Sequence, residues 1–311
     1  MVEVVFVDRK SPVLTPSSLA CLSHIPTINL TAGCAHGCLY CYTRGYRTYP
    51  GEQRVHVYGN TLTMLREELL RKRKLPAAVY FSPSSDLFQP VPEVLDLAYE
   101  VIQFLFARRI GVAFLTKGTI PERHMSLLRA HPRLVRAQIG LTTLDADVLR
   151  TFEPNAAPAQ TRLRQAQDLV TAGIPAEVRI DPILPGITDV DESVRRLCRE
   201  IAASGVRRIA LGVLFLRPAV LHSLKQHLGD SHLQRVLSSH FDRVVRLHIH
   251  AEGSSVMALP RDKRRLIYAR VGEIALECGL EVAVCGCKNP DLGAGSCNIA
   301  GEWPSEEGLF E

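Results

Sequence analysis

The chain has 311 residues, 46% hydrophobic and 22% charged, with 37 Lys and Arg against 32 Asp and Glu for a net charge of +5. That balance belongs to a globular protein and excludes a low-complexity or disordered chain. No apolar run reaches the roughly 18 residues of a membrane span, and the opening Met-Val-Glu-Val-Val-Phe-Val-Asp is too short and too acidic for a signal peptide. The expectation is a cytoplasmic protein with no membrane partner, whose nine cysteines are metal ligands or core thiols rather than disulfides.

In chain order, Ile28 to Thr31 reads as a first short strand leading into Cys34-Ala-His-Gly-Cys38-Leu-Tyr-Cys41. The spacing is C-x3-C-x2-C, with no further cysteine before Cys198. Iron–sulfur cubanes are usually held by four thiolates, so a compact loop with three leaves one iron without a protein ligand, able to bind a substrate or cofactor. The competing reading is a zinc site completed by His36 or a distant residue. Structural zinc sites usually pair two short ligand spacings, however, and His36 would have to fold back inside its own short loop.

Short apolar runs then alternate with amphipathic ones. Ala78 to Ser82 predicts a buried strand, Pro92 to Arg108 a helix with proline in its first turn, Val112 to Thr116 a strand and Pro121 to Ala130 a helix. Val135 to Leu141 and Ala176 to Ile183 predict strands around a helix over Ala159 to Thr171 closed by Gly173. A helix over Asp189 to Ala203, closed by Gly205, and a strand over Arg208 to Phe215 follow. Such alternation implies parallel pairing with right-handed crossovers. The predicted fold is α/β, a partial (β/α)6 TIM-type barrel over residues 26–250. An N-terminal segment, 1–25, precedes it, and a small cysteine-bearing extension, 251–311, follows. In such a barrel, function resides in the loops after the strands. The unusual polar segments fall there: Cys34 to Cys41, Ser82 to Asp86, Thr116-Lys117-Gly118, Thr142 to Asp145 and Asp181 to Gly186.

Near the C-terminus a helix over Asp262 to Cys278 and the apolar run Leu280 to Val284 precede Cys285-Gly-Cys287 and Cys297. On strand-like backbone Cys285 and Cys287 would share a side, with Cβ atoms about 6.5 Å apart, suiting two corners of a cubane. Pro290 and glycines 293 and 295 let the chain turn back to present Cys297. The expectation is a second, auxiliary [4Fe–4S] cluster; zinc and redox-silent thiols are the alternatives. Cys278, a possible fourth ligand, fits an apolar helix stripe with Ile274 and Ala275, as Cys198 does with Leu197 and Ile201, and both are expected to be core thiols. His248 and His250 would share a strand face, whereas His222, His227, His232 and His240 fall in predicted helices without ligand spacing. The basic clusters Arg71 to Lys74 and Arg261 to Arg265 could contact phosphates or simply solvate helix ends.

The rim segments resemble the spore photoproduct lyase-like branch of the radical S-adenosylmethionine (radical SAM) superfamily. The resemblance rests on the cysteine loop with Tyr40 and Tyr42, Ser85-Asp86-Leu-Phe-Gln-Pro90, Leu115-Thr116-Lys117, Leu141-Thr142-Thr143-Leu144-Asp145 and Phe152-Glu153-Pro154. It continues through Arg162-Leu163, Ala172-Gly173-Ile174 and Pro182-Ile-Leu-Pro185-Gly186-Ile-Thr-Asp189, in consistent order over roughly residues 8 to 215. It implies that Cys34, Cys38 and Cys41 hold a cubane whose open iron chelates S-adenosylmethionine, that Ser85 and Lys117 contact its methionine portion, and that Thr142 with Asp181, Pro182 and Ile183 lines the ribose and adenine. It implies an enzyme that reductively cleaves S-adenosylmethionine to a 5′-deoxyadenosyl radical, fed by an electron donor such as flavodoxin or ferredoxin. The radical would abstract hydrogen from a nucleic acid, a peptide or a small metabolite. Spore photoproduct lyase uses a cysteine hydrogen donor just before its Ser-Asp element. This chain reads Phe81-Ser82-Pro83 there, with no cysteine between Cys41 and Cys198, so thymine-dimer repair by that route is not expected. A non-catalytic iron–sulfur or zinc protein that binds nucleic acid is the competitor, but it has no use for the Lys117, Thr142 and Pro182–Gly186 elements.

Overall fold

A computed structural model describes residues 2–17, 19–249, 255–293 and 303. After β1 (Glu3–Val7), the strand expected over 28–31 is two pieces, β2 (Thr27–Ile28) and β3 (Thr31–Ala32), which belong to different sheets. β4 (Arg54–Tyr58) lies between β1 and β3 in a small sheet, and α1 (Thr61–Leu70) leads out of it. The main repeat then runs β5 (Ala78–Phe81), α2 (Pro92–Phe106), β6 (Gly111–Thr116), α3 (Glu122–Arg129), β7 (Val135–Gly140), α4 (Ala146–Phe152), α5 (Ala159–Thr171), β8 (Ala176–Ile183), α6 (Asp191–Ala203) and β9 (Arg208–Val213). Next come α7 (Pro218–Leu228), α8 (His232–His240), the hairpin β10 (Val245–His248) with β11 (Ser255–Ala258), α9 (Arg261–Glu277) and β12 (Glu281–Val284).

Seven parallel strands form the main sheet in the order β12-β9-β8-β7-β6-β5-β2. This is a partial TIM-type barrel, unclosed between β2 and β12 among the described residues. The six expected strands are present, and β12 adds a seventh from beyond residue 250 by pairing Glu281–Val284 with Arg208–Leu211. Alternation along the strands sorts their side chains. Val79, Phe81, Val112, Phe114, Ile139, Val178, Ile180, Ile209 and Leu211 join the core beneath the helices. The opposite, inner face carries Tyr80, Ala113, Arg136, Gln138, Glu177, Arg179, Asp181 and Arg208. Part of it is filled from the chain ends, where Leu22 and Ile25 pack on Ala78, Tyr80 and Ala113 together with Trp303. Arg136 stacks over the Trp303 ring at 4.8 Å.

Cys198 is fully buried in the α6 core and Cys278 packs against it from the end of α9, as the apolar stripes predict. His222 and His227 lie in α7, and His232 and His240 in α8. His248 ends β10; His250 and Cys297 lie outside the described residues. Among the described residues no helix is long and apolar enough to cross a membrane.

Candidate metal and cofactor site

The cysteine loop leaves β3 and rests on a bed of hydrogen bonds. Ala35 donates its N–H to Gln89 Oε1 at 2.8 Å, Asn155 Nδ2 donates to the Ala35 carbonyl at 3.0 Å, and Leu39 N–H donates to the Phe152 carbonyl at 3.0 Å. Arg44 donates from Nη2 to the Gly37 carbonyl and from Nε to the Cys38 carbonyl, at 3.1 and 3.2 Å. His36 is not available as a metal ligand. Its Nδ1 faces the Asn155 carbonyl at 3.1 Å and its Nε2 lies 3.1 Å from Asp86 Oδ2, both in buried surroundings. Asp86 accepts in addition from Thr116 Oγ1, the Lys117 N–H and the Phe88 N–H, at 2.7 to 2.8 Å. These donors together with His36 hold its carboxyl below the usual range against the upward pull of burial.

Cys34, Cys38 and Cys41 are half-buried and close enough to affect one another's charge. Burial first, then Asp86, pushes the Cys34 thiol well up; burial and Glu153 do the same to Cys38, with Lys117 opposing. As protonated thiols they are poor nucleophiles and poor ligands, and a bound cation reverses that balance. Among the described residues no three ligand-type side chains enclose a single-ion position. Cys41 Sγ also contacts Thr43 Oγ1 at 3.0 Å.

Beside the loop, the strand ends contribute their polar residues to the same rim. Ser82, at the end of β5, takes a left-handed backbone conformation (φ 53°), a strained state for a serine that such sites favour. Three residues on, Ser85 Oγ is buried with no hydrogen-bond partner among the described residues. Gly118 follows Lys117 because a Cβ there would stand 1.9 Å from the Phe88 carbonyl oxygen. Gly140 likewise yields its space to Lys117, whose Cγ lies 2.8 Å from where a Cβ would be. Lys117 Nζ reaches Glu153 Oε1 at 3.4 Å and the Asp181 carbonyl at 3.2 Å. Glu153 is enclosed by Arg162 Nη1 at 2.6 Å, by Tyr40 OH, which donates to it, and by Thr142 Oγ1 at 3.5 Å. Burial would raise the Glu153 carboxyl, yet Lys117 and Arg162 hold it at about 2.

Asp181, at the end of β8, accepts from Arg179 Nε and Nη2 at 3.1 and 2.9 Å and from Lys288 Nζ at 2.7 Å. Burial opposes ionisation here as well, and Lys288 and Arg179 bring the carboxyl to about 2. Pro182 and Ile183 are buried just beyond it. The rim thus brings together the cysteine loop, Ser85, Lys117, Thr142 and the Asp181–Ile183 segment. Sequence reasoning missed the residues that support them: His36 as a partner of Asp86, Arg162 beneath Glu153, and Lys288, which reaches the rim from the C-terminal segment. Glu153 and Arg162 stood in recognisable motifs, but Lys288 carried no signal.

The second cysteine group is built differently from the expectation. β12 ends at Val284, and Cys285 to Lys288 form a turn in which Asn289 N–H donates back to the Cys285 carbonyl at 3.0 Å. The strand-based spacing of two cubane corners therefore does not apply to Cys285 and Cys287. Both are buried against Ala210 of β9 and the N-terminal residues Leu19 and Cys21. Of the basic clusters, Arg71 to Lys74 leads from α1 into the start of β5, at the end of the sheet away from the rim. In the other, Arg264 is buried against Asn289 and Asp291, and Lys263 pairs with Asp242 at 3.2 Å.

An uncharacterized Mycobacterium tuberculosis protein is 30% identical over 200 residues, covering 61% of this chain and 59% of the relative. A radical SAM Nα-GlyT isomerase of Pseudomonas phage M6 is 27% identical over 202 residues, 63% of this chain and 41% of that protein. The chain therefore spans less than two thirds of the length of either relative. In fold it is similar to a spore photoproduct lyase variant solved with bound AdoMet and dinucleoside spore photoproduct, at TM-score 0.70 and 16% identity over 90% of this chain and 81% of that one. A model of the radical SAM superfamily matches residues 28–198, from β2 through most of α6, the stretch that supplies the cysteine loop and the strand-end residues around it. With the family's model matching more than half its length across that rim, the chain belongs to the radical SAM superfamily.

Proposed function

We propose that this chain is an enzyme in which Cys34, Cys38 and Cys41 hold a [4Fe–4S] cluster and the rim around them binds S-adenosylmethionine at the open iron. When bound and reduced, the cluster supplies the electron that splits S-adenosylmethionine into methionine and a 5′-deoxyadenosyl radical, which takes hydrogen from the substrate. The observation that carries this reading is the buried Ser85 Oγ, without a hydrogen-bond partner among the described residues, on the same rim as the three thiols, a polar atom that a bound ligand would satisfy. Lys117 gives the methionine carboxylate a cation whose position Glu153 and the space at Gly140 fix. Thr142 and the Asp181–Ile183 segment line the ribose and adenine side. The His36–Asp86 contact and the Asn155 and Gln89 bonds keep the loop in one conformation without cluster, which lowers the ordering cost of loading it.

The electron donor is a small redox protein of the flavodoxin or ferredoxin kind. Residues 26–250 form the radical-generating unit after an N-terminal segment, 1–25. The 251–311 segment carries an auxiliary [4Fe–4S] centre through Cys285, Cys287 and Cys297. The substrate, a nucleic acid, peptide or small metabolite, enters between the rim and this segment. Neither basic cluster gives the rim a phosphate track, since one leads into the start of β5 and the other is partly internal. Anaerobically reconstituted protein, reduced with dithionite, should convert S-adenosylmethionine to 5′-deoxyadenosine and methionine in a chromatographic assay. Cys38→Ala should abolish this. Intact cluster with no 5′-deoxyadenosine, or full activity in Cys38→Ala, would sink the reading.

A further inference from the structure

A third cysteine meets Cys285 and Cys287. Cys21 sits in the single 3-10 turn Ala20–Leu22, in the segment that leads into the edge strand β2. Cys285 and Cys287 follow directly on β12, the opposite edge strand. The Cys287 thiol is in hydrogen-bonding contact with the side chains of both Cys21 and Cys285, and also meets the Cys21 backbone. Cys285 and Cys287 are only 3% and 8% exposed, and Cys21 packs on them with Leu19.

A buried cysteine that merely fills space behaves as a small hydrophobe among aliphatic neighbours, and Cys198 on α6 does so beside Val194, Leu197 and Ile201. Three thiols drawn from opposite ends of the chain onto one another are a different arrangement. Weak S–H donors gain little from such contact, whereas thiolates at that spacing repel unless a cation lies among them. We infer that Cys21 is a ligand of the C-terminal metal centre, alongside Cys285 and Cys287. The inference rests on the auxiliary-centre reading above and changes its chemistry. It adds Cys21 to the two thiols of that reading that lie among the described residues, Cys285 and Cys287. Such a centre, an iron–sulfur cluster or a zinc ion, is held from both edges of the sheet. It ties the segment entering the sheet at β2 to the segment leaving it at β12, across the gap in the barrel. The contacts run through Cys287; the described residues do not yet enclose an ion position.

The test uses full-length protein carrying Cys34→Ala, Cys38→Ala and Cys41→Ala, so that only the second centre remains, purified anaerobically and assayed for iron, sulfide and zinc. This background should retain about four irons and four sulfides, or about one zinc. Adding Cys21→Ala should lower the metal to the level seen on adding Cys285→Ala, while Cys198→Ala and Cys278→Ala leave it unchanged. Alkylation followed by mass spectrometry of the wild-type holoprotein gives a readout independent of variant folding: Cys21 should be protected, and should react once a chelator has stripped the metal. A background that holds no metal sinks the auxiliary-centre reading and the inference with it. A background that holds metal, with content unmoved by Cys21→Ala and Cys21 alkylated in the holoprotein, sinks the role of Cys21 alone. Zinc without iron keeps Cys21 as a ligand and overturns the cluster.

Discussion

Glu153 has no route to solvent, and its charge is balanced from two sides, by Arg162 from α5 and Lys117 from the end of β6. Taking two charges out of water costs several kcal/mol per ion, and the pair returns that only while both members and their hydrogen bonds are present. Arg162, 1% exposed, also donates to the Ala157 and Gly140 carbonyls at 2.6 and 2.9 Å, so removing it strands three acceptors at once. Arg162→Met should therefore destabilise the fold by about 3–5 kcal/mol in urea denaturation; a loss below about 1 kcal/mol would mean that Lys117 alone neutralises the site. Gly140 makes the converse point. A Cβ there collides with the stem of Lys117 while the strand backbone stays acceptable to an L-residue, so Gly140→Ala should displace the ammonium more than it perturbs the fold. The expected result is weaker S-adenosylmethionine binding by calorimetry, with a nearly unchanged melting temperature. Unaltered affinity would remove Lys117 from the cofactor's contacts.

At the scale of elements, α4 shows how a short helix can position a loop far from it in sequence. Asp145 caps it by accepting from the Asp147 and Val148 N–H groups at 2.9 and 3.0 Å, and its C-terminal residue Phe152 offers the carbonyl that holds Leu39 between two of the cysteines. Loss of an N-cap costs on the order of 1 kcal/mol. Asp145→Ala should thus leave the protein folded but lower iron retention during anaerobic gel filtration; full retention would show that the Asn155 and Gln89 bonds suffice. α4 itself was not legible in the sequence, because its seven residues follow a polar motif and carry too little apolar period to register. The longer steps were legible for the opposite reason. β5 and β6 are continuous apolar runs, β7 and β8 alternate apolar core residues with polar inner ones, and α5 ends where Gly173 adopts a φ of 73°. The first strand divided in two because pairing with β4 and with β5 draws its halves into different sheets, a tertiary choice with no local signature.

Across the whole molecule, the parts of the site that the sequence did not disclose are those where distant segments meet: His36 on Asp86, Lys288 on Asp181, Cys21 on Cys287. Spacing identifies ligands that share one loop, but it carries no information about a partner some 260 residues away across the open side of a sheet. The cations that hold the rim's buried carboxylates ionised make it the acid-labile part of the fold. Glu153 and Asp181 are both held at about 2 in the folded chain, against ordinary values of 4.5 and 3.8. A carboxyl with a depressed folded pKa contributes stability that is fully present above its ordinary value and is lost as pH falls toward the folded one. Stability of the metal-free protein should therefore hold level as pH drops to about 5 and then decline continuously toward pH 2, with both carboxylates contributing. Glu153→Gln should start lower at neutral pH, because it leaves Arg162 and Lys117 with an uncompensated charge, and should lose part of that decline. Denaturation midpoints by circular dichroism at stepped pH give the comparison. Parallel pH profiles for wild type and Glu153→Gln would mean that the buried carboxylate at the centre of the rim does not govern its acid response, and that Asp181, clasped by Arg179 and Lys288, and Asp86, paired with His36, account for the decline instead.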